Sequence, residues 1–375
     1  TNEPTRSQVV TPKPVLFIGP FPGPVSGQTV MTEFFYDALV AAAPPDTKII
    51  KLNAARGTSQ FWAFNMFIKQ LRLVTTAVRI LTHPRAKSCY LSMGANRGMA
   101  NSLVHAFCAR IIGAKLLLHH HSYSHISKPS ALMRLMAKLA GREAMHICIC
   151  DRMGDELKAA YPNLVTRTIS LSNIVSIKKD WADHRKNHLK TGRLRLGHMS
   201  NLSFEKGLGK AISTLENLRS AGLNVELHLA GPPSNSSIKM YIAKKKKLIG
   251  DALVWKGPLY GAQKDQFFSE LDLFLFPTDY KNETQGIVIL EALAAGVPVL
   301  ATARCCIHDD IGPLPGWTVA PGDDYSAAAL ALVDSMYENQ KNADAFSKMA
   351  YNRFDQLKAE SKTQMDDFIR QIFVQ

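Results

Sequence analysis

The sequence lacks the cysteine patterns and apolar segments that mark several common protein classes. No CxxC pair occurs among its six cysteines, which argues against zinc ribbons and thioredoxin-like redox sites. The most apolar stretch, residues 287–303, is interrupted by Glu291, Gly296 and Pro298, so the sequence predicts no membrane-spanning helix. Residues 1–14 are polar and have no apolar signal core, from which we expect a cytoplasmic protein.

The composition is that of a folded protein with a basic surface. Of the 375 residues, 46% are hydrophobic and 20% are charged, which is typical of a globular chain. This length predicts two domains. The formal net charge of +14 favours a polyanionic partner, which could be a nucleic acid, an anionic lipid surface or a phosphorylated small molecule. Charge alone leaves these three open.

Short β-branched segments alternate with segments long enough for helices. This alternation predicts an α/β fold with two doubly wound parallel sheets of six strands each. We expect an N-terminal domain over residues 1–176, a polar linker over 177–193 and a C-terminal domain over 194–354. A last helix, residues 355–375, would pack back on the first domain. Because open parallel sheets bind ligands beyond the carboxyl ends of their strands, we expect a cleft between the domains.

Two glutamates with seven residues between them, Glu283 and Glu291, lie where a strand gives way to a helix. We expect Glu283 in the loop or first turn and Glu291 inside the helix, about 12 Å apart at the helical rise of about 1.5 Å per residue. The amides of Gly286, Ile287 and Val288 would point out of the helix N-terminus, where an anion binds well. Glu291 lies in an apolar stretch, so its carboxylate needs a partner. The alternative is a helix cap at Glu283 and a structural hydrogen bond at Glu291.

The run ETQGIVILEALAAGVPVLAT resembles the E-x7-E motif of retaining glycosyltransferases of family 4, which have the two-domain GT-B fold. The resemblance implies that Glu283 contacts the donor sugar and that Glu291 binds the nucleotide ribose. The segment 200–207 is similar to the family's diphosphate-binding element, in which Lys206 would supply positive charge. Asn201 stands where the family often has arginine, so the diphosphate would depend more on Lys206 and the helix amides. A solvated lysine is the alternative for Lys206.

Three weaker matches to the family lie elsewhere. The loop that ends at Gly27 resembles the family's first glycine-rich loop, near the donor phosphate and the acceptor, although its prolines exclude a GxGxxG dinucleotide motif. A structural turn is the alternative there. Asn173 resembles part of the element that ends the family's first domain. Gly257 stands where the family's base pocket begins, so its backbone would read the base.

Several histidines follow a strand of the first domain. Strand alternation puts His119 and His121 on one face, which would also suit a metal ion, but no acidic or cysteine ligand accompanies them. The resemblance implies that His121 hydrogen-bonds the donor sugar, with His119 as the second candidate and a structural histidine as the alternative. We therefore expect no metal site.

Residues 60–85 combine aromatic residues with Lys69, Arg72 and Arg79. A basic amphipathic helix of this kind can lie on an anionic membrane. The alternative is an ordinary helix that faces the core and has a solvated basic side. Peripheral attachment to the inner face of the plasma membrane is therefore an open expectation for this cytoplasmic protein.

These observations predict a retaining hexosyltransferase of polysaccharide biosynthesis. It would transfer a sugar from a nucleotide-sugar donor, with UDP or GDP as the nucleotide, to a hydroxyl of a glycan or lipid-linked glycan. We expect no metal and no other cofactor, and we expect Glu283, His121 and Lys206 to be the catalytic residues. A nucleotide-sugar epimerase and a non-catalytic glycan-binding protein on the same fold remain alternatives. No recognition-helix or RNP-like aromatic pattern is present, so nucleic acid is not an expected partner.

Overall fold

The structure is a computed structural model that describes residues 13–22, 27–55, 57, 59, 61–96, 98–177, 192–338 and 343–373. Within these residues the chain forms two compact units, and each is built around one parallel six-stranded sheet. The first unit contains the residues up to Leu171 and those from Gln364 onward. The second unit runs from Ser172 to Thr363.

In the first unit the strand order is β2-β1-β3-β4-β5-β6. Its elements in chain order are β1 (Val15–Gly19), α1 (Gly27–Ala42), β2 (Ile49–Asn53), α2 (Trp62–Leu81), β3 (Ser88–Ser92), α3 (Gly98–Ile111), β4 (Lys115–His119), α4 (Ser124–Ser127), α5 (Ala131–Ala140), β5 (Met145–Cys148), α6 (Asp151–Ala160) and β6 (Thr168–Ser170). Every residue of β1 and β3 is buried, as expected for central strands covered by helices on both faces. The strand order reverses between β1 and β3, which is where open α/β sheets bind ligands.

In the second unit the strand order is β12-β11-β10-β7-β8-β9. After a 3-10 turn (Asn173–Ser176), its elements are β7 (Leu194–Met199), α7 (Leu208–Ser220), β8 (Val225–Ala230), α8 (Ser236–Ile249), β9 (Leu253–Trp255), α9 (Ala262–Ser269), β10 (Leu273–Phe276), α10 (Ile287–Ala294), β11 (Val299–Thr302), α11 (Cys306–Ile311), β12 (Thr318–Val319), α12 (Tyr325–Glu338) and α13 (Ala343–Phe373). Here the order reverses between β7 and β10, which pair directly at Leu196 and Leu273. The loops that follow these two strands therefore lie side by side.

The predicted fold class, two doubly wound sheets, is confirmed, and the described residues supply six strands to each. The units divide at Ser172, earlier than the domain end expected at 176, and within the second unit the backbone amide of Asn173 bonds to Gln285. Most of the linker expected over 177–193 lies outside the described residues.

The last helix is longer than the expected segment 355–375, since α13 begins at Ala343. Its residues up to Thr363 belong to the second unit, where Lys358 Nζ donates hydrogen bonds to three carbonyl oxygens, including that of Ile174 at 2.9 Å. Its residues from Gln364 belong to the first unit, where the Phe368 ring packs 5.9 Å from that of Phe35. Among the described helices, none is both long and apolar enough to cross a membrane.

Candidate functional site

Lys206 lies in the loop between β7 and α7, at the point where the strand order of the second sheet reverses. The next residue, Gly207, has a φ of 92° and precedes α7. A Cβ atom at Gly207 would lie 2.3 Å from the carbonyl oxygen of Pro277, just after β10. Glycine therefore provides both the left-handed backbone and the space for this close approach. As a result, Lys206 faces the loop that follows β10.

In that loop, Glu283 is paired with Lys206. The distance from Lys206 Nζ to Glu283 Oε2 is 2.6 Å, and Glu283 is only 9% exposed. The same ammonium lies over the ring of Tyr280, 4.3 Å from its centroid, which adds a cation–π contact. Glu283 is not a helix cap, because Gly286 occupies the N-cap position of α10. Lys206 is held by its partners and is not a freely solvated lysine.

Glu291 is paired with a second lysine. It lies inside α10, is 8% exposed, and has Lys264 Nζ 2.5 Å from its Oε1. Burial raises the pKa of Glu291, and the nearby Lys264 ammonium opposes that shift. The sequence indicated that this carboxylate needs a partner, but Lys264 comes from α9, 27 residues earlier, and no local pattern marks it.

The N-terminus of α10 lies between the two glutamates. The helix begins at Ile287, after Gly286 with a φ of 68°. The segment from Glu283 to Gly286 is therefore not helical, and the helical rise does not set the distance of about 12 Å that was expected between the glutamates. In the described part of the chain, the backbone amides of Gly286, Ile287 and Val288 have no hydrogen-bond acceptor. Amides at a helix N-terminus that lack an acceptor favour an anion.

Asn173 is tied to the same loop through Gln285, which is fully buried. The Gln285 Oε1 accepts a hydrogen bond from the Asn173 backbone amide at 3.1 Å, and its Nε2 donates to Ser172 Oγ at 2.8 Å. The Asn173 side-chain oxygen is buried and has no partner among the described residues. Next to Gln285, burial raises the pKa of Asp310 to about 7. Sequence reasoning identified Asn173 but missed Gln285 and Asp310.

The remaining candidates of the second unit lie after β7 and β9. Asn201 is exposed in the loop after β7. Gly257 follows β9 with a φ of 72°, and its carbonyl oxygen accepts a hydrogen bond from Gly231 at 2.7 Å. His198, at the end of β7, was not anticipated: its Nδ1 lies 3.0 Å from the Leu275 carbonyl oxygen. Burial lowers the pKa of His198 to about 4, so the ring is neutral at pH 7.

His121 belongs to the first unit, just after β4. Its ring lies against that of His119, with the centroids 4.0 Å apart and the ring planes tilted by 35°, and His119 Nδ1 lies 2.6 Å from the Tyr90 hydroxyl. The His121 Nε2 is buried and has no hydrogen-bond partner within the described residues. Burial lowers the pKa of His121 to about 4, so the imidazole is neutral at pH 7. Its Nε2 can then donate or accept one hydrogen bond with a ligand.

Three further histidines of this unit form what we call the histidine chain: His120, His125 and His146. His120 Nδ1 lies 2.8 Å from His125 Nε2, and His120 Nε2 lies 2.9 Å from His146 Nδ1. Burial lowers the pKa of His125 and of His146 to about 4. The chain is therefore neutral at pH 7, and each link has one donor and one acceptor nitrogen.

A cavity of about 390 Å³ opens near the carboxyl ends of β1 and β3 in the first unit. Its lining includes Gln28, Ser92, Asn101 and His105, and the buried His105 Nε2 has no partner among the described residues. Gly27, the first residue of α1, directly precedes Gln28, which donates to Ser92 Oγ at 3.0 Å. Sequence reasoning identified Gly27 but not the polar residues of this cavity.

Comparison with known proteins finds similarity to glycosyltransferases. Residues 179–353 match the family model described as glycosyl transferases group 1. Glycogen synthase from Mycobacterium tuberculosis is 26% identical over 219 residues, which cover 57% of this chain and 51% of that protein. The chain thus spans about half the length of that curated relative.

Solved structures resemble the chain over almost its whole length. HepE from Anabaena, in complex with UDP-glucose, has a TM-score of 0.66 at 17% identity, covering 96% of this chain and 99% of HepE. WaaG, a glycosyltransferase involved in lipopolysaccharide biosynthesis, has a TM-score of 0.62 at 15% identity, covering 96% of this chain and 100% of WaaG. At these identities the likeness shows the fold, which is GT-B.

Proposed function

We propose that this chain, which has a GT-B fold and matches the glycosyl transferases group 1 model over residues 179–353, transfers a sugar from a nucleotide-sugar donor to an acceptor hydroxyl. The observation that carries the proposal is the Lys206–Glu283 pair beside the N-terminus of α10. A partly buried cation, a buried carboxylate and, within the described residues, three amides without acceptors form one site at the switch point of the sheet. These groups match a diphosphate that is joined to a sugar with many hydroxyls.

In the proposed donor complex, each group of the site has one role. The diphosphate lies against the amides of 286–288, and Lys206 Nζ turns from Glu283 toward its oxygens. Glu283 then accepts hydrogen bonds from the sugar hydroxyls. Glu291 accepts them from the ribose, and Lys264 keeps its carboxylate charged against the burial that raises its pKa. We also propose that His121, in the first unit, offers its neutral Nε2 to a sugar hydroxyl.

Catalysis in this scheme is mainly electrostatic. As the bond from the anomeric carbon to the diphosphate breaks, negative charge grows on the leaving oxygen, and Lys206 and the helix amides stabilise it. Removing one donor of this kind typically lowers kcat by about 10²–10³. Since Glu283 accepts hydrogen bonds from the sugar hydroxyls in this complex, we propose that it orients the sugar and does not attack the anomeric carbon. The acceptor then attacks from the face of the leaving group, and configuration is retained without a metal.

We propose a glycan or lipid-linked glycan as the acceptor. The cavity of the first unit supports this proposal, because it is lined by amide, hydroxyl and imidazole groups that bind sugar hydroxyls. His105 presents a buried Nε2 that has no partner within the described residues, and such a nitrogen gains from a ligand hydroxyl.

The first experiment is thermal unfolding of the protein with UDP, GDP, ADP, CMP and dTDP. A nucleotide at 100 times its dissociation constant stabilises the native state by about 2.7 kcal/mol, which raises Tm by several degrees. We expect one nucleotide to stabilise the wild type and not Glu291→Gln. Glu216→Gln is the matched control, because Glu216 is also paired with a lysine, Lys245 at 2.7 Å, but on helices α7 and α8.

Product analysis then tests the reaction. The protein is incubated with the sugar donor of the nucleotide that binds, starting with UDP-glucose, the ligand of HepE, if that nucleotide is UDP. Slow release of free sugar and nucleoside diphosphate without acceptor, unaffected by EDTA, supports a transferase. An isomerised donor with no release identifies an epimerase. If none of the nucleotides raises the Tm of the wild type, the assignment of Glu291 is contradicted and a glycan-binding protein is favoured.

A further inference from the structure

The outer surface of α2 is apolar along its whole length. Its exposed side chains recur at intervals of three and four residues, and each is at least 43% exposed: Phe64, Phe67, Leu71, Val74, Val78 and Leu81. This is the spacing of one helix face. The opposite face supplies Ile80 to the core, and Ile80 is fully buried. The helix is therefore apolar on the side that faces water as well as on part of the side that faces the sheet.

The neighbouring helices continue this surface. Helix α2 contacts α3, and α3 contacts α5, so the three form one layer. On α3 the side chains of Val104, Phe107 and Ile111 are exposed, and on α5 those of Leu132 and Leu135 are exposed. Exposed residues of such a layer lie on its outer side, away from the sheet. We call these eleven side chains on α2, α3 and α5 the apolar face. Large contiguous apolar areas of this kind mark interaction sites.

The charge of the protein is concentrated in the same part of the chain. Residues 47–142, which contain all three helices, include 15 Lys and Arg and no Asp or Glu. The other 279 residues carry 30 Lys and Arg against 31 Asp and Glu, so they are nearly neutral. The whole excess of basic over acidic residues therefore lies in the sequence segment that contains the apolar face. On its helices, Arg79, Arg110, Arg134 and Lys138 are exposed.

We propose that the apolar face docks on an anionic membrane surface. Phenylalanine and aliphatic side chains would enter the boundary between head groups and acyl chains, to a depth of about 5–10 Å. The arginines and lysines would keep their charges at the level of the lipid phosphates while their stems lie along the apolar surface. In this arrangement the apolar area is buried among the lipids, and the absence of acidic residues avoids repulsion from the anionic head groups.

The same charge distribution disfavours a second copy of the chain as the occupant. Two such faces packed against each other would bring together the exposed Arg79, Arg110, Arg134 and Lys138 of both copies, and none of the three helices carries an acidic residue. Like charges at that range repel, and desolvation would strengthen the repulsion. The surface belongs to the first unit and uses none of Lys206, Glu283 or Glu291, so the proposal is independent of the proposed reaction.

The test is sedimentation of the full chain with vesicles. We expect binding to equal parts of phosphatidylcholine and phosphatidylglycerol, weaker binding at high salt, and little binding to phosphatidylcholine alone. Phe64→Ser combined with Phe67→Ser should lower vesicle affinity by at least about tenfold. Arg134→Gln combined with Lys138→Gln should lower it by about fivefold for each charge removed.

Matched controls lie on α8 of the second unit, which has exposed Met240 and Leu248 and the lysine run 244–247. Met240→Ser with Leu248→Ser, and Lys244→Gln with Lys247→Gln, should leave vesicle affinity unchanged. Equal losses in these controls would mean that binding is unspecific and would overturn the proposal. So would unchanged binding by the phenylalanine variant, or a dimer in lipid-free solution that this variant dissociates without any vesicle binding by the wild type.

Discussion

Replacing Lys206 by methionine removes the ammonium that faces Glu283 and keeps the apolar stem. Among the described residues, Lys206 is the one ion-pair partner of that carboxylate, at 2.6 Å. Breaking a fully buried pair costs about 3–5 kcal/mol, whereas an exposed pair is worth about 0–1 kcal/mol. Glu283 has a side chain that is 10% exposed and that of Lys206 is 23% exposed, so the pair lies between these limits. We expect Lys206→Met to cost about 2 kcal/mol, or a Tm lowered by roughly 4–8 °C.

The assay is a double-mutant cycle followed by thermal and urea unfolding. Glu283→Gln removes the charge of the carboxylate, so adding it to Lys206→Met leaves no unpaired buried charge. The double variant should therefore be more stable than the sum of the two single changes predicts, by about 1–2 kcal/mol. The control cycle uses Lys245 and Glu216, which are 2.7 Å apart with side chains 23% and 36% exposed. Its coupling energy should stay below about 1 kcal/mol.

Two outcomes would refute this reasoning. If the Lys206 and Glu283 changes add within about 0.3–0.5 kcal/mol, the two charges are not coupled in solution. If the Lys245–Glu216 cycle shows the same coupling energy as the Lys206–Glu283 cycle, burial does not determine the strength of the ion pair. In the proposed reaction, Lys206→Met should also abolish the nucleotide-induced shift of Tm, while the Glu216 variants should keep it.

Three further predictions follow from other contacts. Gly207→Ala should cost at least about 2 kcal/mol of stability, because its Cβ would lie 2.3 Å from an oxygen of Pro277. Gly222→Ala, at a similar φ of 90° but with open space around the Cβ, should cost about 1 kcal/mol. Equal losses of Tm in the two variants would contradict this. In the buried histidine chain, two members have folded pKa values lowered from 6.5 to about 4. The free energy of unfolding should therefore decrease as the pH falls from about 6.5 to 4, by about 1.4 kcal/mol per pH unit for each histidine. A Tm that stays constant across that range would exclude a neutral chain. Gln285→Leu should cost about 2 kcal/mol in urea unfolding, since it leaves the buried Asn173 amide without its acceptor and removes one hydrogen bond to the Ser172 hydroxyl. A loss below about 0.5 kcal/mol, typical of surface changes, would show that these bonds are replaced by water.

The fold was predictable because its signals are local. Buried strands such as β1 and β10 are continuous apolar segments. Helix α7 lies between two strands and α12 follows the last strand, and both have helical spacing. The ends of the units were less predictable, since residues next to Ser172 make contacts with distant parts of the second unit, such as that of Asn173 with Gln285, more than 100 residues away in the chain. The length of α13 was also underestimated, because about three turns of it precede the amphipathic segment that was recognised.

Within the site, the sequence identified the residues and the structure supplied their partners. Glu283, Glu291 and Lys206 belong to motifs with fixed spacing, and each lies where the loop or helix was expected. Lys264 could not be identified, because many lysines could meet a carboxylate and only the packing of α9 against α10 selects one. The same holds for His120, because no spacing in the sequence predicts its hydrogen bonds to two other histidines.

The sequence by itself determined the two sheets, the two glutamates seven residues apart and the excess of positive charge. These are properties of neighbouring residues: periodicity, spacing and composition. Only the tertiary structure decided that Lys206 pairs with Glu283, that Lys264 pairs with Glu291, and that the apolar side chains of α2, α3 and α5 share one outer surface. Such relations arise when strands distant in the chain become neighbours, because the order of strands in a sheet sets which loops and helices meet.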